Sequence, residues 1–285
     1  MAAVPPGPSG QVGFYDNVTV DLQGASGRFG ITQVVMDIAA APDGRGGFAP
    51  GARSLRPIWI EAGGGEEGEA LDQWFADAGA GLPDGVRSLK ISVNDLGENA
   101  PEELSLVLGG CRPLSRSAGG RGTALTVQCA DLTVNEFQGG GSSLHRVGVV
   151  DVTIEDTLTS QNLTQQAYQV RADERLGAGG TEIDVAILLG TVQGSGFDAG
   201  FAIGWVTAAV TGAPDAVQDV VVDVRRAAAN PVPAVMTQTS YERAFPTYVA
   251  FLSRASQFAT AEFATLSVNV VFRANGRRQS TSGGD

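Results

Sequence analysis

The residues that could carry out acid–base or nucleophilic chemistry are few. His145 is the single histidine of the 285 residues, and it lies in a stretch rich in Gly and Ser. A Ser-His-Asp or Cys-His arrangement would have to use this side chain, and no GxSxG motif supplies a nucleophile elbow. The sequence therefore predicts no nucleophilic catalytic site.

Two cysteines, Cys111 and Cys129, flank the turn sequence of residues 117–122. A hairpin centred on Gly120 places them opposite each other, so a disulfide is geometrically possible. We favour two buried, reduced thiols, because disulfides are uncommon in the cytosolic proteins to which the sequence points. Zinc is not expected, because there is neither a CxxC pair nor a second histidine.

Carboxylates form the most visible polar cluster, at Asp151, Glu155 and Asp156. A pair of carboxylates can hydrolyse a glycoside, but a solvated strand face is the interpretation we favour. Neither a calcium-loop pattern nor a phosphate-binding GxxxxGK[ST] motif is present. We predict no catalytic, cofactor-binding or metal-binding residue, no cofactor and no enzymatic activity.

The charge and the apolar runs restrict the partners. The net charge is −12 and Lys90 is the only lysine, which disfavours nucleic acid because a backbone binder needs a basic face. The longest apolar run, residues 197–210, contains Asp198 and is too short to span a bilayer. The first ten residues lack a basic segment followed by an apolar one. These features predict cytoplasmic synthesis, no membrane insertion and no reading of a nucleic-acid sequence.

Alternating apolar residues predict a mainly β protein. One helix is expected over residues 66–78, because Leu71, Trp74, Phe75 and Ala78 fall on one helical face. A bulge is expected near Ala130, where the alternation changes parity, and a second helix is expected within residues 241–263. The strands are predicted near residues 18–22, 31–38, 57–61, 88–93, 104–108, 124–129, 132–134, 150–154, 183–187, 220–224 and 266–272.

Composition divides the chain into five segments. Residues 1–12 are predicted to be a flexible arm, 13–137 a first β domain, 138–146 a linker, 147–275 a second β-rich domain and 276–285 a flexible tail. No fixed repeat period is evident, although the two domains are compatible with a related fold.

The first domain carries a longer pattern over residues 54–137. The segments SLRPIWIEAGGGEEGEALDQWF, VRSLKISVNDLGE, LSLVLGGCRPLSRS and LTVQCADLTVNEF follow one another. This order resembles the tail-tube proteins of contractile phages and the haemolysin-coregulated-protein-like inner-tube proteins of contractile injection systems. In that family a strand leads to an L-x-x-W helix, followed by an I-x-L-x-D-x-x-G strand and turn. The corresponding positions here are Leu71, Trp74, Ile91, Val93, Asp95, Gly97, Leu106, Cys111 and Pro113.

The resemblance implies a tail-tube-like β-barrel with one flanking helix, followed by a second β-rich domain. It implies a structural subunit of a virion or injection particle that forms or caps rings of the inner tube. Its expected partners are further copies of itself, in a hexameric ring or tube, and other tail, sheath or baseplate proteins. Two alternatives stay open: a non-catalytic β-sandwich module that binds carbohydrate or a surface through Trp59, Trp74 or Trp205, and an enzyme that uses carboxylates alone.

Overall fold

The chain forms two compact units. The computed structural model describes residues 18–23, 25–27, 29–45, 47–94, 102–119, 122–136, 150–156, 161–177, 180–190, 200–225, 236–251 and 267–282. Unit 1 lies within Met1–Val35, Ser54–Gly139 and Phe251–Leu266, and unit 2 lies within Met36–Arg53, Gly140–Ala250 and Ser267–Asp285. Residues 36–53, which the sequence places in the first domain, therefore belong to unit 2.

The described residues are mostly in strands. In chain order these are β1 (Val18–Leu22), β2 (Ala25–Gly27), β3 (Gly30–Ile31), β4 (Val34–Pro42), β5 (Phe48–Leu55), β6 (Ile58–Ala62), β7 (Arg87–Asn94), β8 (Glu102–Gly119), β9 (Gly122–Gln128), β10 (Asp131–Glu136), β11 (Val150–Asp156), β12 (Gln161–Gly177), β13 (Gly180–Gly190), β14 (Gln218–Arg225), β15 (Met236–Phe251), β16 (Ser267–Ala274) and β17 (Gly276–Ser282). The helices are α1 (Glu66–Ala80) and α2 (Gly200–Thr211), and each is followed by a short 3-10 turn, Pro83–Gly85 and Pro214–Ala216.

The sheet of unit 1 has the strand order β2-β1-β7-β8-β9-β6-β3, and β10 also pairs with β8. The pairings are antiparallel, with Val20 opposite Ile91 and Ile91 opposite Leu106. The predicted mainly β fold with a flanking helix is confirmed. The predicted barrel is not closed in unit 1, because β2 and β3 end the order of strands that the structure describes there.

Period-2 alternation explains the core of unit 1. Leu89 and Ile91 in β7 and Leu106 in β8 are completely buried, because alternate side chains of a strand point to the same face. Helix α1 covers this face with Leu71 and Trp74, which are also 0% exposed. Burial of such side chains stabilises a fold by roughly 1.5–3 kcal/mol each.

Helix α1 forms where the sequence predicts it. Glu66, Glu67 and Glu69 occupy its first turn, where negative charge suits the helix dipole. It runs two residues past the predicted end and stops at Gly81, which adopts a left-handed φ of 71°. That conformation is inexpensive only for glycine, so the helix ends at Gly81 rather than directly after Ala78.

The sheet of unit 2 has the order β14-β11-β12-β13-β16-β15-β4-β5, with β17 also pairing with β15 and β14 also pairing with β15. Its core includes Trp205 of α2, and the Trp205 and Phe272 rings meet edge to face at 5.6 Å. Helix α2 was not predicted. No helix among the described residues is long and apolar enough to cross a membrane.

Two predictions for the second half are wrong. The helix expected within residues 241–263 is a strand, β15, as far as Phe251, and residues 252–263 lie outside the described residues. Val249, Ala250 and Phe251 are fully buried one after another, so the strand has no alternation to reveal it. The tail expected at 276–285 contains strand β17, which pairs with β15 from Met236 opposite Ser282 to Glu242 opposite Gly276. The pairing is made by backbone groups and does not require apolar side chains.

The parity change near Ala130 also has another cause than a bulge. Strand β9 ends at Gln128, and β10 begins at Asp131. The chain changes partners here, because the backbone N–H of Ala130 donates to the carbonyl of Gly109 at 2.9 Å. The slip marks a break between two strands.

Candidate assembly surface

Cys111 and Cys129 form a disulfide, contrary to the reduced thiols that the sequence favours. The strand register explains the bond. Arg112 in β8 pairs with Gln128 in β9, so the cysteines occupy the next opposed positions, as a hairpin centred near Gly120 predicts. Both side chains are buried.

The other candidate residues do not converge. Asp151 pairs with Gln166, and Asp156 pairs with Gln161, along the β11–β12 ladder, so the acidic cluster is spread along one strand. His145 lies outside the described residues. Within the part of the chain that the structure describes, no group of three or more His, Cys, Asp or Glu is placed to hold a metal ion.

Two of the three tryptophans proposed for ligand binding are core residues. Trp74 is 0% exposed and Trp205 is 6% exposed. Trp59 is half-buried, and its indole N–H donates to Glu61 at 3.3 Å. Trp74 and Trp205 therefore cannot line an open aromatic patch, which removes the main support for a carbohydrate-binding module.

Trp74 belongs to a compact helix–turn–strand arrangement in unit 1. Its indole N–H donates to the carbonyl of Gly85 at 3.2 Å. The guanidinium of Arg87 donates to the carbonyl of Asp84 at 2.8 Å and pairs with the Asp77 carboxylate at 3.0 Å. The Trp74 bond satisfies a buried donor and a buried acceptor, and the three bonds together fix the end of α1 against the start of β7.

Unit 2 contains the same arrangement. The indole N–H of Trp205 donates to the carbonyl of Ala216 at 2.9 Å, and the amide of Gln218 donates to the carbonyl of Asp215 at 2.8 Å. Gly212 takes a left-handed φ of 82° after α2, as Gly81 does after α1. The sequence holds a signal of this match that was missed: Trp, Gly, Pro-Asp and Val recur at identical spacing in WFADAGAGLPDGV and WVTAAVTGAPDAV.

The long strands match in register as well. In unit 1 the β7–β8 ladder pairs Arg87 with Cys111 and then shifts. In unit 2 the β14–β15 ladder pairs Gln218 with Ala244 and shifts at the same place. Each long strand contains one left-handed residue just before this point, Gly110 with φ 58° and Arg243 with φ 49°.

The hairpin of β4 and β5 is held in unit 2 by polar contacts near its turn. The Arg243 guanidinium pairs with the Asp43 carboxylate at 2.7 Å. The Asn275 amide accepts from the backbone N–H of Phe48 at 2.7 Å and donates to its carbonyl at 3.0 Å. Asn275 thereby pairs with the backbone as a neighbouring strand would.

The helix ends of the two units are capped in related ways. The Arg53 guanidinium donates to the carbonyl of Ala209 in α2 at 2.6 Å. The Arg112 guanidinium donates to the carbonyl of Ala78 in α1 at 3.2 Å. Each positive charge lies at a helix C-terminus, where the dipole favours it. In unit 2 this cap comes from β5, and in unit 1 it comes from β8.

Asp43 is the titrating group in these contacts. The hydrogen bond from Arg243, followed by the backbone N–H groups of Arg45 and Gly47, lowers the pKa of Asp43 from 3.8 to about 2. The carboxylate form is favoured because each of these donors stabilises negative charge.

Strands β8 and β15 differ in what covers their C-terminal halves. In β15, Phe245 and Phe251 are fully buried, and the sheet places β15 between β16 and β4. In β8, residues 112 and 114–118 are exposed, and Leu114 is 52% exposed. Among the described strands only β9 pairs with this part of β8, since β7 reaches Cys111 and β10 reaches Gly109. Residues 112–118 are called the β8 edge.

Comparison with known proteins finds similarity among solved structures. No protein-family model matches the sequence, and no curated protein matches it. Among solved structures, the chain is similar to a chain in the cryo-EM structure of the anti-feeding prophage cap, the tube-terminating cap, with 17% identity and a TM-score of 0.35. The similarity covers 48% of this chain and 100% of that chain.

Proposed function

We propose that this protein is a structural subunit of a phage tail or contractile injection particle, without enzymatic activity, that forms or caps rings of the inner tube. The observation that carries the proposal is the β8 edge. A strand edge with unpaired backbone groups is a template for another strand, and proteins usually blunt it with Lys, Pro, bulges or a covering segment.

The β8 edge has two of these devices, Pro113 and a register shift between Pro113 and Ser115, but it has no lysine and no second neighbour among the described strands. The only lysine, Lys90, lies in β7 between β1 and β8. Pro113 is present on β8, but Pro246 stands at the corresponding register position of β15 and leaves that strand flanked by β16 and β4. Leu114 adds exposed apolar surface to the edge. This combination favours pairing with a protein strand over contact with solvent.

The resemblance to tube proteins supports the same proposal. The motif positions Leu71, Trp74, Ile91 and Leu106 are all 0% exposed, as expected for residues that hold the L-x-x-W helix on its sheet. In the proposed assembly, sheet edges of neighbouring units meet around a ring of six positions. Tail, sheath or baseplate proteins then contact the outside or the end of that ring.

Negative-stain electron microscopy of the purified chain tests this function. We expect rings with a central opening, alone or stacked, with six density lobes in averaged end views. A chain that stays at the 29.3 kDa of one copy in light scattering at high concentration overturns the proposal, as do particles without a central opening.

A further inference from the structure

We infer that this chain contains two copies of one fold, and that chains associate head to tail, with β12 of one chain pairing with the β8 edge of the next. The strand pairing follows from the internal duplication. Only the closure of such chains into a ring rests on the function proposed above.

The duplication is visible in the order of elements. In unit 1, β1 pairs with β7, β7 with β8, β8 with β9, and β9 with β6. In unit 2, β11 pairs with β14, β14 with β15, β15 with β16, and β16 with β13. In both units a strand precedes the helix, a 3-10 turn follows it, and the next strand returns to the sheet. Each unit therefore has the same topology.

The two units also share hydrogen bonds between corresponding residues, which a chance similarity of topology does not explain. The bonds of Trp74 and Trp205 to their turn carbonyls are equivalent. A second equivalent pair follows β9 and β16, where Ala130 N–H donates to Gly109 and Asn275 N–H donates to Glu242, both at 2.9 Å. Bonds that recur between corresponding residues indicate copies of one ancestral unit.

The two copies differ at the neighbour of the long strand. In unit 2, β4 lies beside β15. The equivalent strand in unit 1 is β8, and the β8 edge has no second neighbour among the described strands. Phe245 of β15 is fully buried, whereas Arg112 at the corresponding position is exposed. The unit 1 copy therefore lacks the strand that its counterpart has.

The strand that fits this place is the counterpart of β4. Strand β4 is the first strand of the hairpin that precedes β6 and α1, and β12 is the first strand of the hairpin that precedes α2. Residues 161–166 of β12 pair with β11, but residues 167–177 pair with β13 alone among the described strands. The side of residues 167–177 that faces away from β13 is therefore a second open edge. It lies on β12, the strand that the duplication predicts as the one that pairs with the β8 edge.

The charges are compatible with this pairing. The β8 edge carries Arg112 and Arg116 and no acidic residue, and residues 167–177 of β12 carry two acidic residues and two arginines. The donor stretch therefore has no net positive charge that would repel the edge. By the duplication, the occupant of the β8 edge is β12 of a second copy of this chain.

A head-to-tail contact leaves one donor and one acceptor at the ends of any open row of chains, so it closes into a ring or grows as a filament. Because each chain supplies two equivalent units, a ring of six positions contains three chains rather than six. The expected mass of the ring is three times the 29.3 kDa of one chain.

Blocking the acceptor and the donor separately tests the pairing. Leu114→Glu places a negative charge on the β8 edge, and Leu82→Glu is the matched control, since Leu82 is 51% exposed in the same unit but lies outside the strands. Asp173→Pro and Glu174→Pro remove adjacent N–H groups of β12. Successive N–H groups of a strand point to opposite sides, so one of the two variants removes an outward donor and keeps the β13 ladder. Circular dichroism identifies the folded variants.

Light scattering gives the outcomes. We expect Leu114→Glu and the folded proline variant to be single chains, with association weakened at least tenfold, and Leu82→Glu to match the wild type. A mixture of the two blocked variants should form a two-chain complex that grows no further, because one intact donor meets one intact acceptor. Equal behaviour of Leu114→Glu and Leu82→Glu, a single-chain wild type, or no complex in the mixture overturns the inference.

Rings that persist in Leu114→Glu refute the pairing and leave the proposed function intact, whereas filaments without rings refute the function and leave the pairing intact.

Discussion

Trp74 donates its indole N–H to the backbone carbonyl of Gly85, eleven residues further along the chain. Gly85 is packed so tightly under α1 that a Cβ at this position would lie 2.5 Å from the Cα of Ala78. One side chain and one missing side chain therefore fix the helix, the 3-10 turn and β7 relative to one another.

Replacing Trp74 with Phe should destabilise the protein by about 1–3 kcal/mol, because it leaves the Gly85 carbonyl buried without its donor. Trp205→Phe should cost a similar amount, since the Ala216 carbonyl accepts the equivalent bond. Trp59→Phe is the control, with an expected change within about 0.5 kcal/mol because Trp59 is half-buried. Urea unfolding followed by circular dichroism measures the three values, and equal costs at Trp59 and Trp74 would refute the argument.

Gly85→Ala should cost about 1–3 kcal/mol, because the added methyl group overlaps the backbone of α1 and forces the helix to move. Gly79→Ala is a matched control within the helix. Nothing lies within 4 Å of a Cβ at Gly79, so alanine there should stabilise α1 by up to about 1 kcal/mol through helix propensity. Opposite signs of the two changes in thermal melting are expected; destabilisation of equal size by both would contradict this packing.

Opening the Cys111–Cys129 disulfide should lower the free energy of unfolding by about 2–4 kcal/mol, because the bond closes a loop across a sequence separation of 18 residues. The Cys111→Ala, Cys129→Ala double variant and the reduced wild type should then unfold at the same urea concentration. Thiol titration of the unreduced protein should find no free thiol, and two titratable thiols per chain would show that the bond is absent.

The Asp43–Arg243 pair should make the stability of unit 2 depend on pH in the acidic range. The pKa of Asp43 is lowered from 3.8 to about 2 in the folded protein. A carboxylate with a lowered pKa stabilises the fold fully above its unfolded value and loses that contribution as the pH falls. The stabilisation is therefore present above pH 3.8 and disappears as the pH falls to about 2.

Asp43→Asn isolates this effect. The urea midpoint of the variant should lie below that of the wild type at pH 6, and the two should approach each other as the pH falls from 3.8 towards 2. A difference that stays constant over this range would mean that Asp43 does not titrate as described.

Local periodicity predicts the elements whose two faces differ. Leu71, Trp74 and Phe75 identify α1, and the alternation of Leu89 and Ile91 identifies β7. Helix α2, with the sequence GFAIGWVTAAVT, is apolar around most of its circumference and gives no such contrast.

Long-range pairing decides what local patterns cannot. The helical spacing of Tyr248 and Phe251 is misleading, because β15 lies between β16, the next strand in the chain, and β4, which is distant in sequence. The exposure of the β8 edge likewise depends on which strands reach it, which no local pattern records. The duplication was readable from the repeated Trp and Pro-Asp spacing alone.

The position of β4 and β5 in the chain has a consequence for folding during synthesis. Asp43 is separated from Arg243 by 200 residues, and Phe48 from Asn275 by 227. At roughly 5–20 residues per second, the ribosome needs on the order of 10–40 s to make the partners of this hairpin after the hairpin itself has emerged. Contacts so distant in sequence also form slowly. During that interval the nascent hairpin is an exposed edge that can insert into another molecule, so the yield of correctly folded chains should fall when translation is slow, which lengthens the interval, or when nascent chains are crowded.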